Sequence, residues 1–236
     1  MKSTGRKTRA PGAGTELAAR KAVIATALAM SRCDLSPGRS GNVSRRWQEG
    51  MLITPSGMAY DEIKPADIVR VAADGSVAAR QRKPSSEWRF HLAAYAARPD
   101  MHAVVHTHSM HATVLACAHR PIPAFHYMVA VAGGRDIPCV PYATFGTEEL
   151  SRHVAAGLAS RNACLMANHG QIALGATLEA ALELATEVET LAEQYCKVLM
   201  LGEPHILSDA EMDTVLDLFA GYGQHAQRPA KTGGKR

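Results

Sequence analysis

The sequence predicts a single α/β domain with helices on both faces of its sheet, and three observations carry that expectation. Strand-like and helix-like patterns interleave along the chain, the arrangement that gives a layered α/β body. At 236 residues and 47% hydrophobic composition the chain suffices for one large domain with a sizeable core, and it shows neither an internal repeat nor an interdomain linker. Only 5% of residues are aromatic while alanine is abundant, which suits helices lying closely on a sheet better than an aromatic-rich sandwich.

The first helix is expected over about 15–32, where Leu17, Ile24 and Leu28 share one side. The stretch LSPGRSGNVSRR is then a turn entering a short strand, and GMLITPSG a strand over Met51–Thr54 closed by a Pro-Ser-Gly turn. VRVAADGSVAAR has the pattern of a hairpin about Asp74-Gly75. KPSSEWRFHLAAYAARPD predicts a helix with a serine cap: Trp88, Leu92 and Tyr95 fall at i, i+4 and i+7, and Pro99 marks its end. HAVVHTHS follows as a strand, HATVLACAHR as a helix and DIPCVPYATFGT as mostly extended chain. Thr147, with two acids just after it, opens a helix through TEELSRHVAAGLASR. ACLMANHG and QIALG are strands meeting at a glycine turn. The longest helix runs from Leu178 to about Met200, between a Thr177 cap and Gly202.

The formal charge of +4 invites a nucleic-acid reading until it is located. Lys2, Arg6, Lys7, Arg9, Arg228, Lys231, Lys235 and Arg236 lie in terminal stretches without a single acid, and without them the balance turns acidic. The chain is therefore expected to place a domain at 15–224 between disordered basic tails at 1–14 and 225–236. No basic helix face or motif points to nucleic acid. Cys33, Cys117, Cys139, Cys164 and Cys196 form no CxxC and no even framework, so reduced thiols and a cytoplasmic location are expected. AVIATALAM after a basic start resembles a signal peptide. It is only nine residues long, however, with Glu16, Arg20 and Lys21 just before it and no A-x-A site after it. No other segment is long and apolar enough to span a membrane.

The chemistry lies in the histidines. VVHTHSMH, from Val104 to His111, holds three of the chain's eleven. In a strand, period two puts His106 and His108 on one face with Thr107 turned away. That presents two imidazoles to one ion, commonly zinc; an HxH alone is a weak signal, and His102 and His111 read as edge residues. His169, at the end of an apolar strand before a glycine, is the candidate third ligand, the alternative being a turn histidine facing water. Glu87 stands in the first turn of the helix leading into the HxH strand, as ligand or base, although a favourable charge at a helix N-terminus would by itself place an acid there. PSSE at the same helix start offers hydroxyls and backbone N–H groups to a phosphate. GRSGN and TPSG are further small-residue turns able to donate N–H groups to an anion. These residues point to a zinc enzyme acting on a phosphate ester.

Taken together, SGNVS, LITPSG, KPSSEWRFHLAAY, AVVHTHS, IPAFHYM, PYATFGTEELS and NHGQIALG resemble, in order and spacing, the class II aldolase/adducin family from about Leu17 to Gly223. The resemblance implies a mixed, mostly antiparallel central sheet with helices on both faces, a C4 homotetramer with interfacial active sites, and one Zn²⁺ per subunit. It implies His106, His108 and His169 as zinc ligands, with Glu87 joining them in the empty site and swinging off to act as acid/base. It further implies that Gly41, Asn42, Ser56, Gly57, Ser85 and Ser86 hold phosphate, that Tyr127 reaches in from the neighbouring subunit, that Phe145 lines the site, and that Phe219 and Tyr222 close over the aldehyde end. Arg39 departs from the pattern, standing where the aldolase resembled has a small hydroxyl residue.

The implied reaction is retro-aldol cleavage of a ketose 1-phosphate, L-fuculose 1-phosphate first, to dihydroxyacetone phosphate and L-lactaldehyde. A divalent ion would act as a Lewis acid, Glu87 would protonate the three-carbon fragment, and Tyr127 would take the proton of the C4 hydroxyl. The same residues would serve 5-deoxyribulose 1-phosphate or 5-methylthioribulose 1-phosphate. A sugar-phosphate 4-epimerase or dehydratase would use the same metal site. A scaffold role, as in adducin, is disfavoured because all three histidines and the carboxylate are in place; a generic zinc hydrolase would instead release inorganic phosphate and no aldehyde.

Overall fold

Alternation along the strands sorts the side chains between two cores, and a computed structural model describing residues 14–222 shows how. Chain order is α1 (Glu16–Arg32), β1 (Asn42–Trp47), β2 (Gly50–Ile53), β3 (Val69–Val71), α2 (Trp88–Ala97), β4 (Ala103–Thr107), α3 (Met110–Cys117), β5 (Cys139–Val140), α4 (Glu148–Leu158), β6 (Ala163–Met166), β7 (Gly170–Gly175), α5 (Leu178–Leu201) and α6 (Asp209–Tyr222). The strands form one seven-stranded sheet in the order β3-β2-β1-β4-β7-β6-β5, in which the β5–β6 pair is parallel and the others antiparallel. This is an α/β body, as the residue patterns predict, with the mixed, mostly antiparallel sheet that the resemblance implies.

On β4, Ala103 and Val105 face one layer and Val104 the other. The first face packs against α1, α3 and α5 through residues such as Val23, Ala27, Leu115, Ala185 and Val188. The second packs against α2 and α4 through Phe90, Ala94, Leu150, Val154 and Leu158. Because both faces are covered, β6 and β7 are buried along their whole length. The threonine caps foreseen at Thr147 and Thr177, and one at Thr15, each accept a backbone N–H of the first turn.

Four details differ from expectation. The Asp74-Gly75 turn forms, but no second strand follows it. The edge of β3 is instead satisfied by the side-chain amide of Gln81, which accepts from Arg70 N–H and donates to Arg70 C=O. The cap of α2 is Glu87 rather than a serine, and its side chain makes no capping bond. The turn between β6 and β7 is centred on Asn168, at φ 53°, while Gly170 already belongs to β7. Helix α6 and a short 3₁₀ helix over Tyr127–Ala132 were not foreseen. Both basic tails lie outside the described residues, Gly14 excepted, as do positions 223 and 224 of the expected domain. No helix among the described residues is long and apolar enough to cross a membrane.

Candidate metal centre

Strand β4 delivers His106 to the face covered by α2, with Asn42 of β1 and Ile172 of β7 as its cross-strand partners, and His108 follows just past the strand's end. The β6–β7 turn brings His169 alongside. There Asn168 takes the left-handed conformation, and His169 N–H returns to Met166 C=O at 3.0 Å. Gly170 makes the approach possible, since a Cβ there would collide with the Thr107 carbonyl oxygen and crowd the His108 ring. Glu87, at the N-terminus of α2, completes the cluster from the covering layer.

The three imidazole centroids are pairwise 4.9 Å apart, with interplanar angles of 72–83°. Four ligand atoms, one each from Glu87, His106, His108 and His169, lie within 4.8 Å of one another. Glu87 Oε2 is 3.2 Å from His106 Nε2, and Oε1 is 2.8 Å from His169 Nε2. The two Nε2 atoms of His106 and His108 are 3.1 Å apart. A tetrahedral ion held through N and O atoms at about 2.0–2.1 Å separates its ligand atoms by roughly 3.3–3.4 Å, close to these spacings.

Tautomer chemistry points the same way. His106 Nδ1 lies 2.7 Å from the Gln171 carbonyl oxygen, which can only accept, so Nδ1 carries a proton and Nε2 is the nitrogen turned to the cluster. That nitrogen, in a fully buried residue, faces a carboxylate and a second imidazole, a setting in which one cation can be held between them. Burial, with His106 and His169 nearby, pushes His108 down to about 3, so its ring is neutral at neutral pH and able to offer a lone pair. Burial alone would raise the Glu87 carboxyl, but the adjacent His106 and His169 outweigh it and hold Glu87 well below the usual carboxylate range. The donor set suits a divalent metal ion.

Beside the cluster opens a cavity of about 460 Å³ lined by Arg39, Gly41, Asn42, Ser56, Gly57, Ser85, Ser86 and Phe145 as well as Glu87, His108 and His169. The three loops expected around an anion therefore meet at one place. Their backbone is less available than expected: the N–H groups of Gly41, Ser56 and Ser85 are already donated to Ser36 Oγ, Lys83 C=O and Thr54 C=O. Serine hydroxyls and the Arg39 guanidinium remain as polar groups on the cavity wall. Arg39 spans two of the loops, donating to Gly57 C=O at 3.0 Å.

Asn42 is 4% exposed and has both ends of its amide engaged, with Nδ2 2.7 Å from Glu87 Oε2 and Oδ1 2.5 Å from His91 Nε2. Tyr142, Ala143 and Asn168 also line the cavity; sequence reading missed them, and only the left-handed propensity of Asn168 before His169 offered a signal. Tyr127, 51% exposed, and Phe219, 36% exposed, are not brought to the cavity of their own protomer. The side chain of Tyr222 lies outside the described residues.

A family model for the class II aldolase and adducin N-terminal domain matches residues 21–196. The chain is 53% identical over 217 residues to the 5-methylthioribulose-1-phosphate/5-deoxyribulose-1-phosphate aldolase of Rhodospirillum rubrum, a match spanning 92% of this chain and 98% of that one. It is 51% identical over 202 residues to the L-fuculose phosphate aldolase of Escherichia coli (strain K12), spanning 85% and 94%. A solved structure of an L-fuculose 1-phosphate aldolase matches with TM-score 0.83 and 40% identity, over 88% of this chain and 100% of that one.

Proposed function

The chain belongs to the class II aldolase and adducin family, and from that premise we propose that it is a zinc-dependent aldehyde-lyase. It cleaves a ketose 1-phosphate, L-fuculose 1-phosphate in the first instance, to dihydroxyacetone phosphate and an aldehyde, here L-lactaldehyde. The observation that carries this reading is the junction of a three-histidine, one-carboxylate cluster with a cavity walled by serine hydroxyls and Arg39. His106, His108 and His169 hold the metal, with Glu87 as a further ligand before substrate enters. When bound, zinc supplies a Lewis acid opposite the negative charge that builds on the three-carbon fragment.

The chain's own residues do the rest. Ser56, Ser85 and Ser86, with Gly41, Asn42, Gly57 and Arg39, seat the phosphate and so fix which bond of the sugar lies over the cluster. Glu87 makes no capping bond to α2, so its carboxylate can turn away from His106 and His169 without loosening the helix, take up a proton from solvent once clear of them, and deliver it to C3 of the substrate. Tyr127 of a neighbouring subunit removes the C4 hydroxyl proton as the C3–C4 bond breaks. Phe145, Phe219 and Tyr222 surround the aldehyde end. The protein works as a homotetramer in the cytoplasm, consistent with a tyrosine that is exposed in one protomer and remote from that protomer's cavity.

A second reading, cleavage of 5-deoxyribulose 1-phosphate or 5-methylthioribulose 1-phosphate, is favoured by the Rhodospirillum rubrum relative at 53% identity. It uses the same metal and phosphate residues and differs only at the aldehyde end. The test is release of dihydroxyacetone phosphate from each sugar phosphate by zinc-loaded protein, coupled through glycerol-3-phosphate dehydrogenase to NADH oxidation, with an EDTA-treated control. Zinc-dependent NADH oxidation is expected, and its relative rates rank the substrates. No oxidation with any of the three would sink the aldolase reading.

A further inference from the structure

A row of polar side chains, buried as far as a half-buried Arg46 at its end, runs away from the candidate metal centre between β1 and α2. On the strand, Asn42, Ser44 and Arg46 stand at period two; on the helix, Glu87, His91 and Tyr95 stand at i, i+4 and i+8, so the two rows face one another along their length. The contacts interleave: Glu87 Oε2 to Asn42 Nδ2 at 2.7 Å, Asn42 Oδ1 to His91 Nε2 at 2.5 Å, His91 Nδ1 to Ser44 Oγ at 2.7 Å, and Ser44 Oγ to Tyr95 OH at 2.9 Å. At the far end Arg46 sits over the Tyr95 ring, 4.8 Å from its centroid, and donates to the carbonyls of Tyr95, Arg98 and Met101 where α2 ends.

We infer that Tyr95, Ser44, His91 and Asn42 form a positioning device for Glu87, holding Oε2 in one orientation from outside the metal cluster. The inference rests on the role proposed above for Glu87. The direction of every bond follows from chemistry. A carboxylate only accepts, so Asn42 turns its NH₂ to Glu87 and its carbonyl to His91. His91 must then donate from Nε2. Burial pushes His91 down to about 3, so the ring is neutral and its Nδ1 accepts from the Ser44 hydroxyl. With its hydrogen so placed, Ser44 accepts from Tyr95, whose phenol burial keeps protonated. All donors thus point toward one oxygen of Glu87.

The test uses zinc-loaded protein carrying His91→Phe, His91→Gln or Tyr95→Phe. Phenylalanine preserves the ring stacked on Phe90, at 5.0 Å and 16°, while removing both nitrogens. Glutamine restores an amide donor near the Nε2 position. Three quantities are read: kcat against KM for ketose 1-phosphate cleavage, zinc affinity by competition with a chromophoric chelator, and the urea midpoint. His91→Phe is expected to lower kcat or zinc affinity about 10–100-fold, the usual cost of losing a group that orients a ligand, with KM changed less than about twofold. His91→Gln is expected to recover most of that loss, and Tyr95→Phe to fall between His91→Phe and the unaltered protein. The inference is overturned if His91→Phe matches the unaltered protein in both kcat and zinc affinity. It is equally overturned if His91→Gln is no better than His91→Phe and both losses simply follow the urea midpoint. Should the unaltered protein cleave no ketose 1-phosphate, the functional reading fails, and the zinc-affinity series still decides whether the row positions Glu87.

Discussion

Glu87 has contacts on both carboxylate oxygens, one toward His169 and one toward His106 and Asn42. Replacing it with glutamine keeps its size and one acceptor but removes the acid. Glu87→Gln is expected to lower kcat for dihydroxyacetone phosphate release by about 10²–10⁴-fold, the range for a general acid–base group; a kcat like that of the unaltered protein would remove Glu87 from the proton transfer. Arg39 makes a contrasting case. Its guanidinium lies on the cavity wall, exposed and tied to Gly57 C=O. An exposed charge beside a phosphate contributes modestly, and salt screens it. Arg39→Ser is therefore expected to raise KM roughly two- to fivefold with little change in kcat, and the difference should shrink as ionic strength rises. Steady-state kinetics at low and high salt read both effects. An unchanged KM at low salt would place Arg39 among solvated surface charges.

At the scale of elements, the centre depends on how closely β7 starts beneath the end of β4. Gly170 sits at that crossing, where a Cβ would press on the Thr107 carbonyl oxygen and the His108 ring. Gly170→Ala is expected to cost about 1–3 kcal/mol in stability, as overpacked sites do, and to weaken zinc binding because the strand shift displaces one ligand. Urea unfolding and chelator competition on the same preparation check the pair; lost stability with unaltered zinc affinity would show that the crossing does not set His108. The same elements show what a sequence can disclose. Threonine caps at Thr147 and Thr177 were legible because each acts on a backbone N–H three residues away. His106 and His108 were legible as a pair because period two, a property of the strand alone, carries through to His108 just past the end of β4. His169 was only a candidate, since its place depends on the β4–β7 pairing between distant segments. The Asn42–His91 contact depends on packing α2 against β1 across 49 positions of chain, and no local pattern announces it. The missing strand after Asp74-Gly75 has a similar origin: the side chain of Gln81 satisfies the edge of β3 where backbone pairing was expected.

At the scale of the molecule, a protomer that encloses its candidate metal centre still leaves Tyr127 about half exposed and away from the cavity. In the proposed tetramer each active site takes Glu87 from one subunit and Tyr127 from the next, and neither residue's loss affects the other's contribution. Tyr127→Phe and Glu87→Gln proteins are each expected to be nearly inactive alone. Dissociated, mixed in equal amounts and reassembled, they form rings in which some sites pair an intact Glu87 from a Tyr127→Phe subunit with an intact Tyr127 from a Glu87→Gln neighbour. In a cyclic assembly with random mixing, about a quarter of the sites are of this kind, because each of two independent choices falls correctly half the time. The reassembled mixture should therefore regain about a quarter of the specific activity of the unaltered protein treated in the same way. Mixing without dissociation should regain none. If the reassembled hybrids stay as inactive as their parents while subunit exchange is demonstrated by differently tagged chains in one particle, Tyr127 does not act across an interface. The proton of the C4 hydroxyl must then be taken by a residue of the same chain, for which Tyr142 on the cavity wall is the first candidate.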